Sequence, residues 1–274
     1  MNAGVSDRPP DPTVNGIDPQ YVLDVCSGFQ SMAKYYLGAF PNCKIISIDL
    51  LNKSHSMKLL TEAERARVYC VQMNIEDLTF EALEELLHKA WGIGVKDLTH
   101  SHWSPPCSSM TTADLGANQY RWSDGTAREG TVAVIHDRIF NKFFGVWLQI
   151  ADAHPGLLMS AENPIGWFQY MPAVVNLLKR DHTWQLCETH YCRAADADLD
   201  KLVTWSKKPT HLLVRNIPPG YRLPQCEHKC RYRFPQGSGK ENLHLKAVRI
   251  DHNSVEGQTR LTDWHRDAIP QGLF

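Results

Sequence analysis

Two short stretches of this 274-residue chain carry side chains suited to act together on one substrate: Ser104-Pro105-Pro106-Cys107 and Glu162-Asn163-Pro164. A cysteine thiolate is a strong nucleophile and forms covalent intermediates. The two prolines before Cys107 fix φ and remove two backbone donors, so the chain must leave the sheet there. That places Cys107 at the mouth of the fold, although a cysteine in such a setting also suits a small buried hydrophobe. Glu162 follows an apolar run that a proline ends. A carboxyl group shielded from water can donate a proton to a ring nitrogen, which is the help a thiolate needs to add to an aromatic ring. Taken alone, Glu162 equally suits a local cap or ion pair.

A second set of candidates is acidic. Tyr21 to Cys26 reads as a buried strand containing Asp24 and closed by Ser27-Gly28, and Ser31 to Phe40 reads as a helix stopped near Pro41. Lys44 to Ile48 is the next strand and ends in Asp49, about 20 residues beyond Gly28, the offset of an acid that binds ribose hydroxyls. Arg67 to Met73 is a third strand. Thr79 to Trp91 follows as an amphipathic helix with Phe80, Leu83, Leu86, Leu87 and Ala90 on its apolar side. Asp77, between the two, suits either an acceptor for an adenine amino group or an N-cap for that helix. Three acids tied to three successive strands suit a nucleoside ligand.

The elements that must position these groups alternate strand and helix. Leu98 to Trp103 is a β-type run ahead of Cys107, and Gly156 to Ala161 is a fifth strand leading into Glu162. Between them, Ser108 to Gly130 is polar and without period, either a lid over a substrate or a surface excursion. Thr131 to Ala153 is a long helix whose apolar stripe, including Val134, Ile135, Ile139, Phe143 and Trp147, is core packing. The expected fold is therefore α/β and Rossmann-like: a mostly parallel, doubly wound sheet with helices on both faces and ligands outside the carboxyl ends of its strands. Residues 1–20 read as an irregular leader.

Composition sets the class. Hydrophobic residues make up 43% and charged residues 22%, as in a globular protein, and no apolar run reaches the length of a membrane span. Without the apolar core of a signal peptide the expected location is intracellular, either bacterial cytoplasm or eukaryotic nucleus, and the eight cysteines are expected as thiols. Net charge is −1, but residues 201–274 hold 13 Lys/Arg against 6 Asp/Glu (+7), leaving 16 against 24 (−8) for residues 1–200. A basic C-terminal third on an acidic body suits a protein that meets phosphate with one part only, or else a solvated basic surface.

In this order, Asp24-Val25-Cys26-Ser27-Gly28, Ser104-Pro105-Pro106-Cys107 and Glu162-Asn163-Pro164 resemble the first, fourth and sixth motifs of the cytosine carbon-5 methyltransferases. The Ser-Gly and Glu-Asn-Pro variants are similar to a divergent branch found in phage and virus-like sequences, as are His190-Tyr191-Cys192-Arg193 and Lys201 ahead of Leu202-Val203-Thr204-Trp205. The resemblance covers roughly residues 20–206.

It implies a Rossmann-like S-adenosylmethionine-dependent methyltransferase acting on DNA, with RNA not excluded. Its catalytic domain would span 21–206, and a small basic target-recognition region with a short C-terminal return would span 207–274. S-adenosylmethionine would lie against Asp24, Ser27, Gly28, Phe29, Ser104 and Pro105, its ribose on Asp49 and its adenine near Asp77. Cys107 would add to carbon 6 of a cytosine flipped out of the duplex, and Glu162 would stabilise the protonated ring nitrogen 3. Arg193 and Lys201 are the residues available for the basic role near the target base. The chain departs from the family in its first motif, where Gln30 or Ser31 stands for a second glycine, and in a short last motif, Arg266 to Pro270.

Cys226-Glu227-His228-Lys229-Cys230 offers one Cys pair where structural zinc wants four ligands, so no metal is expected. Arg222, Lys229, Arg231, Arg233 and Lys240, interleaved with Tyr221, Tyr232 and Phe234, suit a phosphate-contacting surface. Two other classes remain open: a methyltransferase for an exocyclic amino group, in which an aromatic residue would stand where Cys107 is, and a silent relative that binds nucleic acid or cofactor without turnover.

Overall fold

A computed structural model of the chain describes residues 20–28, 30–51, 53–111, 120–190 and 209–217. The strands are β1 (Tyr21–Val25), β2 (Lys44–Asp49), β3 (Val68–Gln72), β4 (His100–Trp103), β5 (Leu158–Pro164), β6 (Trp184–His190) and β7 (Pro209–Arg215). The helices are α1 (Ser31–Ala39), α2 (Lys53–Ser56), α3 (Glu62–Arg65), α4 (Phe80–Trp91), α5 (Val132–Ala153) and α6 (Pro172–Arg180). All seven strands join one sheet in the order β3-β2-β1-β4-β5-β7-β6. β1 and β2 pair in parallel, as do β2 and β3, whereas β6 and β7 are antiparallel. Strand order reverses at β1, where β4 returns to its open side. This is the doubly wound, mostly parallel α/β architecture that the alternation of strands and helices predicts, and such reversals are where ligands bind in open sheets.

The chain divides into two compact units, Met1–His102 with Asn141–Met159, and Trp103–Phe140 with Ser160–Phe274. In the first, β1 and β2 are aliphatic on both faces: Val22, Leu23, Val25, Ile45, Ile46 and Ile48 are fully buried. That is the near-continuous apolar run of a covered parallel strand. Leu83 and Leu87 of α4 and Phe143, Trp147 and Ile150 of α5 complete this core. Thr79 caps α4 by accepting from the Ala82 amide (3.1 Å), and Gly92, left-handed at φ 68°, ends it. In the second unit Trp103 stacks on Phe140 with centroids 5.1 Å apart, and Phe140 meets Phe168 edge-on at 6.0 Å. Burying each such side chain contributes about 1.5–3 kcal/mol, enough to hold the chain where it leaves β4.

Several boundaries differ from the sequence reading. β5 runs on through Glu162 and Asn163 instead of stopping at Ala161. Pro209–Arg215, expected at the start of a separate C-terminal region, is a strand of the sheet, because Leu212, Leu213 and Val214 are buried there against β6. Val134 and Ile135, assigned to the core stripe of α5, are exposed, and Ala133 is buried in their place. The five described cysteines, Cys26, Cys43, Cys70, Cys107 and Cys187, are thiols. None of the described helices is long and apolar enough to cross a membrane.

Candidate active site

In the first unit the loop after β1 is built from unusual backbone. Cys26, Gly28 and Gln30 all have positive φ, at 57°, 50° and 65°. A non-glycine residue there costs about 1–2 kcal/mol, so something must hold Cys26 and Gln30 in place. For Gln30 it is its own side chain, fully buried, whose Nε2 donates to Ser47 Oγ (2.6 Å), Ser56 Oγ (2.7 Å) and Ser27 Oγ (3.1 Å). Ser56 in turn donates to the Gly28 carbonyl at 2.6 Å. Gln30 thus knits together the loop, β2 and α2.

Asp49, at the end of β2, accepts the Gly28 amide on Oδ2 (2.8 Å) and the Leu51 amide on Oδ1 (2.7 Å). Each oxygen keeps further lone-pair capacity, so the carboxylate is oriented by these bonds rather than consumed by them. A Cβ on Gly28 would meet nothing within 4 Å, so open space lies before this turn. Asp24 is the other acid of the loop and only 1% exposed. Neither of its carboxylate oxygens has a hydrogen-bond partner among the described residues. Burial first, and then the neighbouring Asp49 charge, push the Asp24 carboxyl well above the usual carboxylate range. Asp77 is exposed in a short 3-10 turn, Ile75–Asp77, and the cap of α4 is Thr79, which corrects the capping alternative for Asp77.

The second unit holds the other pair of motifs. Past Trp103 the chain runs without regular structure through Ser104, half-buried, and Pro105, buried, to Cys107, half-buried. The Met110 and Thr111 amides both donate to the Cys107 carbonyl (2.9 and 3.2 Å), which folds Cys107–Thr111 into a tight turn. Glu162 and Asn163 of β5 are 5% and 0% exposed. Asn163 Nδ2 donates to the Pro105 carbonyl at 3.3 Å, so the two motifs are hydrogen-bonded to each other.

Further contacts brace the Cys107 turn. The Trp167 amide donates to the Met110 carbonyl at 2.7 Å, and Thr111 bridges Gly166. A Cβ on Gly166 would lie 2.0 Å from that same carbonyl, so only glycine fits there. Ser109 Oγ is 2.9 Å from His136 Nδ1 on α5. Burial, and then the charge of Arg121, hold the His136 imidazole below its ordinary range. Beyond the turn, residues 120–128 form a small hairpin, with Arg121 bridging Ala127 and the Arg128 amide donating to the Tyr120 carbonyl at 2.9 Å. Arg128 stacks on the exposed Trp122, 4.1 Å from its ring. This part of the Ser108 to Gly130 stretch, read as a lid or a surface excursion, is a pinned hairpin.

The structure therefore brings Cys107, Pro105 and Glu162-Asn163 together in one unit, and Asp24, Ser27, Gly28 and Asp49 in the other. Phe29, Arg193, Lys201, the Cys226–Cys230 group, the basic and aromatic residues from Tyr221 to Lys240, and the short last motif lie outside the described residues. Ser109, Arg121, His136, Asp137 and Gly166 carry no motif, and sequence reading passed over them. For Gly166 a signal existed, a glycine two residues after the proline that ends β5.

No protein-family model matches the chain, and no curated protein does. Among solved structures it is similar to an antibiotic-related methyltransferase at 12% identity, with 72% of this chain and 88% of that one covered and a TM-score of 0.39. An rRNA methylase from Streptococcus thermophilus is similar at 8% identity, with 73% and 89% covered and a TM-score of 0.38. The plantazolicin methyltransferase BpumL, in complex with SAH, is similar at 8% identity, with 74% and 78% covered and a TM-score of 0.40. All three likenesses are distant.

Proposed function

We propose that this protein transfers a methyl group from S-adenosylmethionine to carbon 5 of cytosine in DNA, through a covalent adduct on Cys107. The observation that carries this reading is the bond from Asn163 Nδ2 to the Pro105 carbonyl, which ties the half-buried thiol segment to the strand that bears the buried Glu162. A nucleophile and a carboxyl group held in one unit are what addition to an aromatic ring requires.

The loop after β1 fits the cofactor. Asp24 is a buried acid whose two oxygens lack partners among the described residues, and an ammonium group would satisfy them. Ser27 and Gly28 would lie along the cofactor, and Asp49 would take ribose hydroxyls on its remaining lone pairs. Asp77, exposed at the end of its turn, is the acceptor for an adenine amino group. When bound, the cofactor supplies an electrophilic methyl group on sulfonium sulfur.

The protein's own residues perform the rest. The Cys107 thiolate forms a bond to carbon 6 of the cytosine, and the electron pair of the ring double bond moves towards carbon 5. Glu162 holds a proton at ring nitrogen 3, which draws off the charge that the attack creates. Carbon 5 takes the methyl group as its bond to the sulfonium sulfur breaks, leaving S-adenosylhomocysteine, and then gives up its proton to water. The double bond re-forms as Cys107 leaves as thiolate. Because the thiol cannot reach a base stacked in a duplex, the target must be flipped out, at a cost of a few kcal/mol. Incubating the protein with DNA and methyl-deuterated S-adenosylmethionine, then analysing nucleosides by mass spectrometry, tests this reading. Labelled 5-methylcytosine is expected, and label on an exocyclic amino group, or none, refutes it.

A further inference from the structure

The geometry points to Arg121, paired with Asp137, as the positioning residue that holds the Cys107 turn in its reactive shape. This rests on the reading of Cys107 as nucleophile. The Arg121 side chain is 3% exposed, unusual for a cation that sequence alone would send to solvent. Every direction of its fork is used. Nε donates to the Ser109 carbonyl at 2.7 Å, Nη1 to the Gly125 carbonyl and Asp137 Oδ2 at 3.0 Å each, and Nη2 to Asp137 Oδ1 and to the Met110 sulfur at 3.4 Å. Two of these acceptors, Ser109 and Met110, sit inside the turn whose amides bond the Cys107 carbonyl. The other anchor, Asp137, belongs to the 22-residue helix α5, a rigid support.

Arg121 is thus a buried strut between the thiol's turn and α5. Trp167 and Gly166 also hold the turn, through Met110 and Thr111, and Asn163 holds Pro105 just before it. Burying the Arg121 guanidinium is a costly way to hold a loop, because its desolvation offsets much of its attraction to Asp137, whose side chain is 26% exposed. What the fork supplies is position: its planar geometry fixes several acceptors at once, which an apolar contact cannot do.

This suggests a test that separates positioning from stability. The double variant Arg121→Met/Asp137→Leu removes both charges and keeps the volume. Two readouts are taken: amide hydrogen exchange of Met110 and Thr111, and the kinetics of covalent adduct formation with DNA containing 5-fluorocytosine. The variant is expected to stay folded but to melt below the wild type, because the Ser109 and Gly125 carbonyls lose their donor. Its Met110 and Thr111 amides should exchange about tenfold faster, and its adduct rate should fall about a hundredfold, the cost of an ångström-scale misplacement, with the DNA concentration at half-maximal rate unchanged. Wild-type exchange in the turn together with a wild-type adduct rate overturns the proposal. If the double variant fails to fold, Arg121→Lys, which keeps the charge and loses the fork, is read by the same measures, with a loss of about tenfold expected and no loss overturning it. If the wild-type protein forms no adduct, the proposed function fails by itself, and exchange in the turn alone decides whether Arg121 holds it.

Discussion

Asn163 and Pro105 lie 58 positions apart in the chain, yet the carboxamide of the first donates to the carbonyl of the second at 3.3 Å. Pro105 lies past the end of β4, and its carbonyl is bonded by a side chain from β5 rather than by a strand amide. Asn163→Ala removes that donor from a buried carbonyl and should cost about 1–3 kcal/mol. Denaturant unfolding checks the loss, and adduct formation by Cys107 should slow in the same variant.

Gly166 makes a stricter demand. With a Cβ 2.0 Å from the Met110 carbonyl, Gly166→Ala forces the β5 loop and the Cys107 turn apart. Destabilisation of about 1–3 kcal/mol is expected, as for other overpacked sites, together with loss of adduct formation. A calorimetric melt beside an activity assay decides it, and wild-type behaviour in both would mean that the two segments do not touch as described.

Gln30 separates backbone strain from hydrogen bonding. Gln30→Ala keeps the left-handed backbone and loses three contacts to serine hydroxyls, so it should destabilise by about 1–3 kcal/mol. Gln30→Gly loses the same contacts but relieves the strain at φ 65°, and should recover about 1 kcal/mol of that loss. Chemical unfolding of both variants orders them.

The fold was legible in the sequence because it follows from local rules, and so were the places where the chain leaves its strands. Alternating strand and helix patterns, with Ser27-Gly28 closing the first strand, give the doubly wound sheet. The two prolines before Cys107 and the one after Asn163 mark where chain leaves strand. What the sequence hides is packing over distance. Nothing local says that Arg121 is buried, since its partner Asp137 lies on a helix read as an apolar stripe. The β7 strand depends on distant pairing, for Pro209–Arg215 lies in the sheet between β5 and β6. Gln30 carries no local signal of its role, which depends on hydroxyls from separate segments, Ser27, Ser47 and Ser56.

Two buried groups tilt stability with pH in opposite directions. Asp24 has a raised folded pKa, so the folded state retains a proton that the unfolded chain releases above the ordinary value of 3.8. Stability therefore falls as pH rises from there through the folded value. Asp24→Asn should abolish this slope, leave the ligand-free protein more stable at about pH 8, and weaken S-adenosylmethionine binding. His102, fully buried in β4, is held down to about 3 by burial, so between its ordinary 6.5 and that value the unfolded chain binds the extra proton and stability is lost as pH falls. Thermal melts across pH, with and without cofactor, check both signs.

The central claim is that Cys107 becomes bonded to a cytosine ring during turnover. The most direct measurement is to incubate the protein with S-adenosylmethionine and DNA containing 5-fluorocytosine, then resolve the mixture under denaturing conditions. Because fluorine at carbon 5 cannot leave as a proton does, a protein–DNA species that survives denaturation is expected, with the linkage mapped to Cys107 and absent in Cys107→Ser. Methyl transfer to the DNA with no such species, or a linkage that persists in Cys107→Ser, would contradict it.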